Sequence, residues 1–149
     1  MKTENKELLL KDLCARLPYG VKIKTSYNKM DEPIELRFVN HRNESFAIGS
    51  NFTLISGLDF DTYECKPYLF PLSSMTEEQR EEFVKFAYYE SRLEDCGGHK
   101  ELYYYDLVGH ENNLYPNSDA IDWLDKNHFD YRGLIEKGLA IDATGLNIY

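Results

Sequence analysis

Residues 127–138 read NHFDYRGLIEKG and set His128, Asp130 and Arg132 at alternate positions. Imidazole, carboxylate and guanidinium are the groups that move protons and hold anions in many enzymes. No nucleophile or second carboxylate stands beside them, however, and most of the segment has a backbone role open to it. Asp130 is placed to cap a short helix, YRGLIEK, and Gly138 to stop it in the left-handed region. Leu139 then folds back on Leu134 or Ile135, and Phe129 packs on Leu134 or a near neighbour as a staple. The segment is therefore read as a joint between helices. A small enzyme using His128, Asp130 and Arg132 is the alternative.

Two further groupings have partial chemistry. Cys96-Gly-Gly-His99, with His110 and Glu111 beyond, offers thiolate and imidazole to a zinc ion. It lacks a second close pair, and Gly97-Gly98 serve as a helix stop, so no metal site is assigned. LISGLDFDTY ends an apolar run on Asp59-Phe60-Asp61. Haloacid-dehalogenase-type phosphatases begin similarly, but they need threonine or valine where Tyr63 stands, and a longer alternating sheet. As a calcium loop it lacks the glycine and the closing glutamate, with Phe70 at that place. Turn aspartates are the expectation. No Walker loop, dinucleotide fingerprint, zinc-protease helix or nucleophile elbow is present, so neither cofactor nor catalytic residue is assigned.

The elements that must position these groups follow from periodicity. A helix is expected over Asn5–Arg16, with Leu9, Leu10, Leu13 and Cys14 on its stripe, ended where Pro18 forces Leu17 out of the helical region. VKIKTSY and PIELRFVN alternate as strands, with Ile34, Leu36 and Phe38 inward in the second and a hairpin connection between them. SFAIGSNFTLIS follows, with Phe46, Ile48, Phe52 and Leu54 inward. A strand over roughly Tyr63–Phe70 contains Pro67, which suits an edge or a bulge. The best helix signal starts after Ser74 or Thr76, each heading a capping box, and runs with Phe83, Val84, Ala87 and Tyr88 buried to Gly97-Gly98. ELYYYDLVG is a late strand, and DAIDWLDKN a short helix capped by Ser118 and stopped at Asn127. Strands run together and do not alternate with helices. The fold class is α+β in a single domain spanning residues 1–149, mainly an antiparallel meander with an N-terminal helix, one long central helix and two short C-terminal helices.

Charge and composition narrow the function. The net charge is −9. Residues 1–30 hold seven Lys/Arg against three Asp/Glu, which makes that segment +4 and the remaining 119 residues −13. The excess is read first as a basic helix and strand lying over acidic neighbours, and alternatively as a basic contact face. Nucleic acid is not an expected partner, because phosphate neutralisation needs cations. Three widely spaced cysteines suit reduced thiols. The chain shows no membrane span or signal peptide, which makes the cytoplasm the expected compartment. Twelve tyrosines are many for this length and suit partner recognition, and Tyr103-Tyr104-Tyr105 cannot all face inward on one strand.

Three segments carry a resemblance: LPYGV (17–21), KPYLFPLSSMTEEQ (66–79) and DWLDKNHFDYRGLIEKGLAI (122–141). Together they resemble a family of small uncharacterised proteins from phages and mobile elements of gut anaerobic bacteria. The resemblance implies a setting inside a bacterial cell and no particular activity or cofactor. The reading is a non-enzymatic interaction module that binds a protein partner. Its expected contact residues are Tyr68, Phe70, Trp123, His128, Phe129, Tyr131 and Arg132. The second alternative is an acidic mimic of nucleic acid that inhibits a host enzyme, motivated by the −13 remainder.

Overall fold

The computed structural model describes residues 2–27, 32–40, 45–50, 53–86 and 118–149. Among them lie helices α1 (Thr3–Arg16), α2 (Glu77–Phe86) and α3 (Ser118–Lys126). The strands are β1 (Lys22–Thr25), β2 (Ile34–Asn40), β3 (Ser45–Ser50), β4 (Thr53–Asp59), β5 (Cys65–Pro71), β6 (Phe129–Asp130) and β7 (Ile141–Asp142). The class is α+β, but the sheet is mixed. Its order is β4-β3-β2-β1-β5-β6, with β7 also on β5. β1 to β4 run as antiparallel neighbours and β5 returns beside β1, while β6 and β7 pair with β5 in parallel.

Helix α1 buries Leu9, Leu10 and Leu13 as its stripe requires, but Cys14 is exposed and Asp12 and Arg16 are buried instead. Leu17 keeps helical angles (φ −54°, ψ −42°), contrary to the expected break. The chain tightens into a 3-10 turn that Pro18's fixed φ suits, and Gly20 at φ 68° ends it. At α2 the choice of cap resolves to Thr76. Its N–H donates to Gln79 Oε1 at 2.9 Å, and Gln79 N–H donates to Thr76 Oγ1 at 3.2 Å. The long central helix is described only to Phe86. Its expected stop at Gly97-Gly98, the strand ELYYYDLVG and the group Cys96, His99, His110 and Glu111 lie outside the described residues, as does Phe52.

Strand β2 departs from plain alternation. Leu36 pairs with Ile48 and Phe38 with Ala47, so Arg37 is an extra residue, a β-bulge. The parity of the strand flips there. Val39 packs on the core and Phe38 faces out, 52% exposed, where an inward Phe38 was expected. Between β3 and β4 the register also shifts, with Gly57 at φ 77° on the strand that carries the extra residue.

Pro67 is not on an edge. It pairs with Ile23 inside the sheet. Glu64 C=O accepts from Ser26 N–H on the β1 side, and Leu69 C=O accepts from Ala143 N–H on the other. By alternation Pro67 turns its nitrogen away from β1, at a point before β7 begins, so no ladder bond is lost there.

The second short C-terminal helix does not form. Gly133 (φ 69°) sits in its middle in the left-handed region, and 131–138 closes as turns. The stop signals still act. Leu139 N–H donates to Leu134 C=O at 2.8 Å and Gly138 N–H to Ile135 C=O at 3.0 Å, a Schellman closure without a helix before it.

Among the described residues two apolar clusters result. The first joins α1 to the inner sheet face through Leu9, Leu13, Ile23, Leu36, Phe46 and Leu69, with Leu134 and Leu139. The second sits between α2, α3 and β6 and holds Leu72, Met75, Phe83, Trp123, Leu124 and Phe129. Each fully buried leucine contributes about 2 kcal/mol.

Candidate functional site

The most polar part of the interior lies where α1, α3 and β6 meet. Arg16 is fully buried, and so is Asp12 one turn earlier. Arg16 Nε donates to Asp12 Oδ2 at 2.8 Å, Nη2 to the Phe129 carbonyl at 2.7 Å and Nη1 to the Leu124 carbonyl at 3.4 Å. Its Nη2 also lies 3.5 Å from Asp125 Oδ1. Arg132 reaches in from the 131–138 turns, with Nη1 at 2.7 Å from Asp12 Oδ1 and 3.3 Å from Asp125 Oδ1. Tyr131 OH donates to Asp125 Oδ2 at 3.2 Å, and the Arg132 guanidinium lies 4.2 Å from the Tyr131 ring centre. Two carboxylates and two guanidiniums alternate, so the cluster is neutral. Removing one partner would strand a buried charge, at a cost of about 3–5 kcal/mol.

Burial pushes the Asp125 carboxyl above its ordinary range, against the pull of Arg16 and Arg132. Burial alone would lower Arg132, but Asp12, Tyr131 and Asp125 raise it. Burial also raises the Tyr131 hydroxyl. Each of the four charged side chains is engaged by at least one of the others.

His128, Asp130 and Arg132 do not converge. Asp130 accepts the N–H groups of Leu134 (2.9 Å) and Ile135 (2.8 Å), so it organises the turn. Arg132 points to α1. His128 follows α3 in the left-handed region at φ 58°, the place where a glycine usually ends a helix. Its ring stacks on Tyr149 at 3.9 Å and 12°. Among the described residues its buried Nδ1 has no hydrogen-bond partner. Burial, then the charge of Arg16, lowers its pKa from the ordinary 6.5 to about 4, with Asp12 and the Tyr19 backbone pulling the other way. The Tyr149 hydroxyl accepts from Lys22 N–H at 3.0 Å and donates to Tyr68 C=O at 2.9 Å, bridging β1 and β5 one rung beyond Ile23–Pro67.

Of the seven expected contact residues, Trp123, Phe129, Phe70 and Tyr131 pack together in the second cluster. Trp123 and Phe129 stack at 5.7 Å and 9°, Phe83 leans on Trp123 at 5.4 Å, and Phe70 meets Phe129 at 6.2 Å and Tyr149 at 6.0 Å. Phe129 is 2% exposed, Trp123 5%, Tyr68 5% and His128 6%. Phe70 and Tyr131 are partly buried beside the second cluster. Trp123, Phe129, Phe70 and Tyr131 line the seam between α3 and β5, and Phe129 packs on Trp123 where a staple to Leu134 or a near neighbour was expected.

Asp59 and Asp61 are turn residues. Asp59 Oδ1 accepts Asp61 N–H at 2.7 Å, and Asp61 pairs with Lys6 at 2.7 Å. An open cleft of about 320 Å³ lies beside them, with Leu9, Phe60, Cys65 and Leu139 at its apolar floor. Burial pushes the Cys65 thiol well up, so it stays protonated. Among the described residues no group of three or more metal-ligating side chains occurs, and no helix is long and apolar enough to cross a membrane.

Reasoning from the sequence missed Phe38, and it missed Asp12, Arg16 and Asp125 as one unit. Asp12 and Arg16 had a signal: at i, i+3 and i, i+7 from Leu9 both fall on the apolar stripe of α1. No family model, curated protein or solved structure matches this chain.

Proposed function

We propose that the chain is a non-enzymatic protein-interaction module of the bacterial cytoplasm, of phage or mobile-element type, whose contact face is the outer side of the sheet around Phe38. The carrying observation is the bulge at Arg37. It turns a large apolar ring to solvent, 52% exposed, in the body of a paired strand. Bulges re-aim side chains in this way next to working sites. The resemblance of the three segments to small phage proteins supports a partner inside a bacterial host. The engagement of Asp130, Arg132, Asp12 and Asp125 by their own protein argues against the enzyme reading.

A photo-cross-linking phenylalanine analogue at position 38 tests this in bacterial cells. One discrete adduct is expected from position 38 and none from Leu146, which is similarly exposed. Adducts of equal yield from both positions, or none from either, sink the reading. One observation favours the acidic mimic: Glu77, Glu78, Glu81 and Glu82 are all exposed on α2. An adduct whose formation falls steeply with salt and depends on those glutamates selects it.

A further inference from the structure

Tyr149 does more than stack on His128: its hydroxyl takes a place in the sheet. Ser26 N–H donates to Glu64 C=O across β1 and β5. Bonded pairs recur at every second residue of an antiparallel ladder, so after Lys24 and Lys66 the next such pair is Lys22 and Tyr68. There the two strands are bridged by the phenol. Lys22 N–H donates to the Tyr149 hydroxyl at 3.0 Å, and that hydroxyl donates to Tyr68 C=O at 2.9 Å. Further along β5, Phe70 N–H donates to His128 C=O at 2.9 Å, where β6 has taken over from β1. The hydroxyl thus fills the break between β1 and β6.

The break selects its occupant chemically. A fixed donor and a fixed acceptor face one atom, and a hydroxyl both accepts and donates, whereas a carboxylate cannot donate and an ammonium cannot accept. The imidazole of His128 lies flat on the ring at 3.9 Å and 12°, and Phe70 closes from the side at 6.0 Å and 54°. With its pKa at about 4 the imidazole is neutral at pH 7, and burial pushes the Tyr149 hydroxyl up to about 12, so it keeps its proton. These walls belong to β1, β5 and the junction of α3 with β6, so they stay in place without Tyr149. The segment that carries Tyr149 is built to open more easily. Residues 144–147 are all exposed, Asn147 sits at φ 50°, and Tyr149 is 44% exposed.

We propose that this slot is a binding site for a phenol, a flat ring with a free hydroxyl, and that Tyr149 is its built-in competitor. A ligand enters when residues 144–149 swing away, so its binding is coupled to release of that segment. The proposal does not depend on the contact face at Phe38. A small phenolic molecule and a tyrosine side chain of another polypeptide offer the same chemistry, and the test separates them.

The full chain and its Tyr149→Ala variant are titrated with p-cresol, toluene, p-methylanisole and N-acetyltyrosinamide. Binding is followed by nuclear magnetic resonance of the backbone amides and aromatic rings, with circular dichroism to confirm the fold. p-Cresol should shift the Lys22 amide and the His128 ring, and should bind Tyr149→Ala about tenfold more tightly than the wild type. Toluene and p-methylanisole should bind that variant about tenfold more weakly than p-cresol, since neither can donate to Tyr68 C=O. In the wild type, saturating p-cresol should move the Tyr149 ring signals to those of an exposed tyrosine. Tyr149→Phe keeps a ring in the slot without its hydroxyl, and should bind p-cresol several-fold more tightly than the wild type; this arm decides the matter if Tyr149→Ala does not fold. Toluene binding as tightly as p-cresol overturns the proposal, because an apolar hole would do the same. So does p-cresol that leaves the Lys22 and Tyr149 signals unmoved, or that binds none of the three proteins. Given binding of p-cresol, equal affinity for N-acetyltyrosinamide identifies a tyrosine side chain as the ligand, and its exclusion identifies a small phenol.

Discussion

His128 combines a left-handed backbone, a ring stacked on Tyr149 and a pKa held at about 4 by burial and by Arg16. Folded His128 therefore binds fewer protons than unfolded His128 between pH 4 and 6.5. The stability tied to its neutral form is present above pH 6.5 and is lost as pH falls toward 4. Its size is at most about 3 kcal/mol. His128→Asn keeps a residue that tolerates φ 58° and removes the titration. Urea unfolding at pH 7 and pH 4.5 should show the variant losing less stability than the wild type, with a gap of about 1–2 kcal/mol. Equal losses in both would mean that the imidazole is not kept neutral. Residue roles that close within one turn were legible in the sequence: Asp130 as organiser, Gly138 as stop, Thr76 with Gln79 as a cap. His128 was legible only as a joint residue, because its partner Tyr149 is set by packing and not by spacing.

Elements were legible where periodicity ran unbroken, as along α1 and β1. They were not where a single residue shifts the phase. In β2, Ile34, Leu36 and Phe38 alternate, and nothing local marks Arg37 as extra; only the pairing with β3 does. Deleting Arg37 separates the two possibilities. With the bulge real, the shortened strand reads Ile34 in, Glu35 out, Leu36 in, Phe38 out and Val39 in, so every face is kept and the bulge closes. The fold should survive with a loss of about 1 kcal/mol, mostly from the Arg37–Glu35 pair and the packing of its stem. A strand with Phe38 inward would instead lose a buried aromatic, about 3–5 kcal/mol. Thermal unfolding monitored by circular dichroism distinguishes these outcomes. In 131–138 the phase failure has another cause: Gly133 in the left-handed region breaks the helix its neighbours favour, and the closing Schellman bonds persist as a lone turn.

At the scale of the molecule, two apolar clusters meet at one polar cluster. Arg16 ties α1 to α3 and β6 through bonds to Asp12, Leu124 C=O and Phe129 C=O. No spacing rule in the sequence announces a partner 108 residues away, and the positions of Asp12 and Arg16 on the apolar stripe of α1 were the one local sign, not read as such, of buried charge. The joint has a consequence for cooperativity. The chain's single tryptophan, Trp123, lies in the second cluster between Phe83 and Phe129. Its fluorescence therefore reports α2, α3 and β6, while far-ultraviolet dichroism sums over all the helices and the sheet. In the wild type the two signals should lose structure together, as a two-state chain requires. Arg16→Met keeps most of the apolar stem but removes the bonds that span the clusters, leaving Arg132 as the cation paired with Asp12 and Asp125 among the described residues. Overall stability should fall by about 3 kcal/mol. The fluorescence transition should then precede the dichroism transition in urea, because the second cluster keeps its own stacking but loses its anchor to α1. Coincident transitions in the variant would show that apolar contact between the clusters, and not the buried charges, makes the protein unfold as one body.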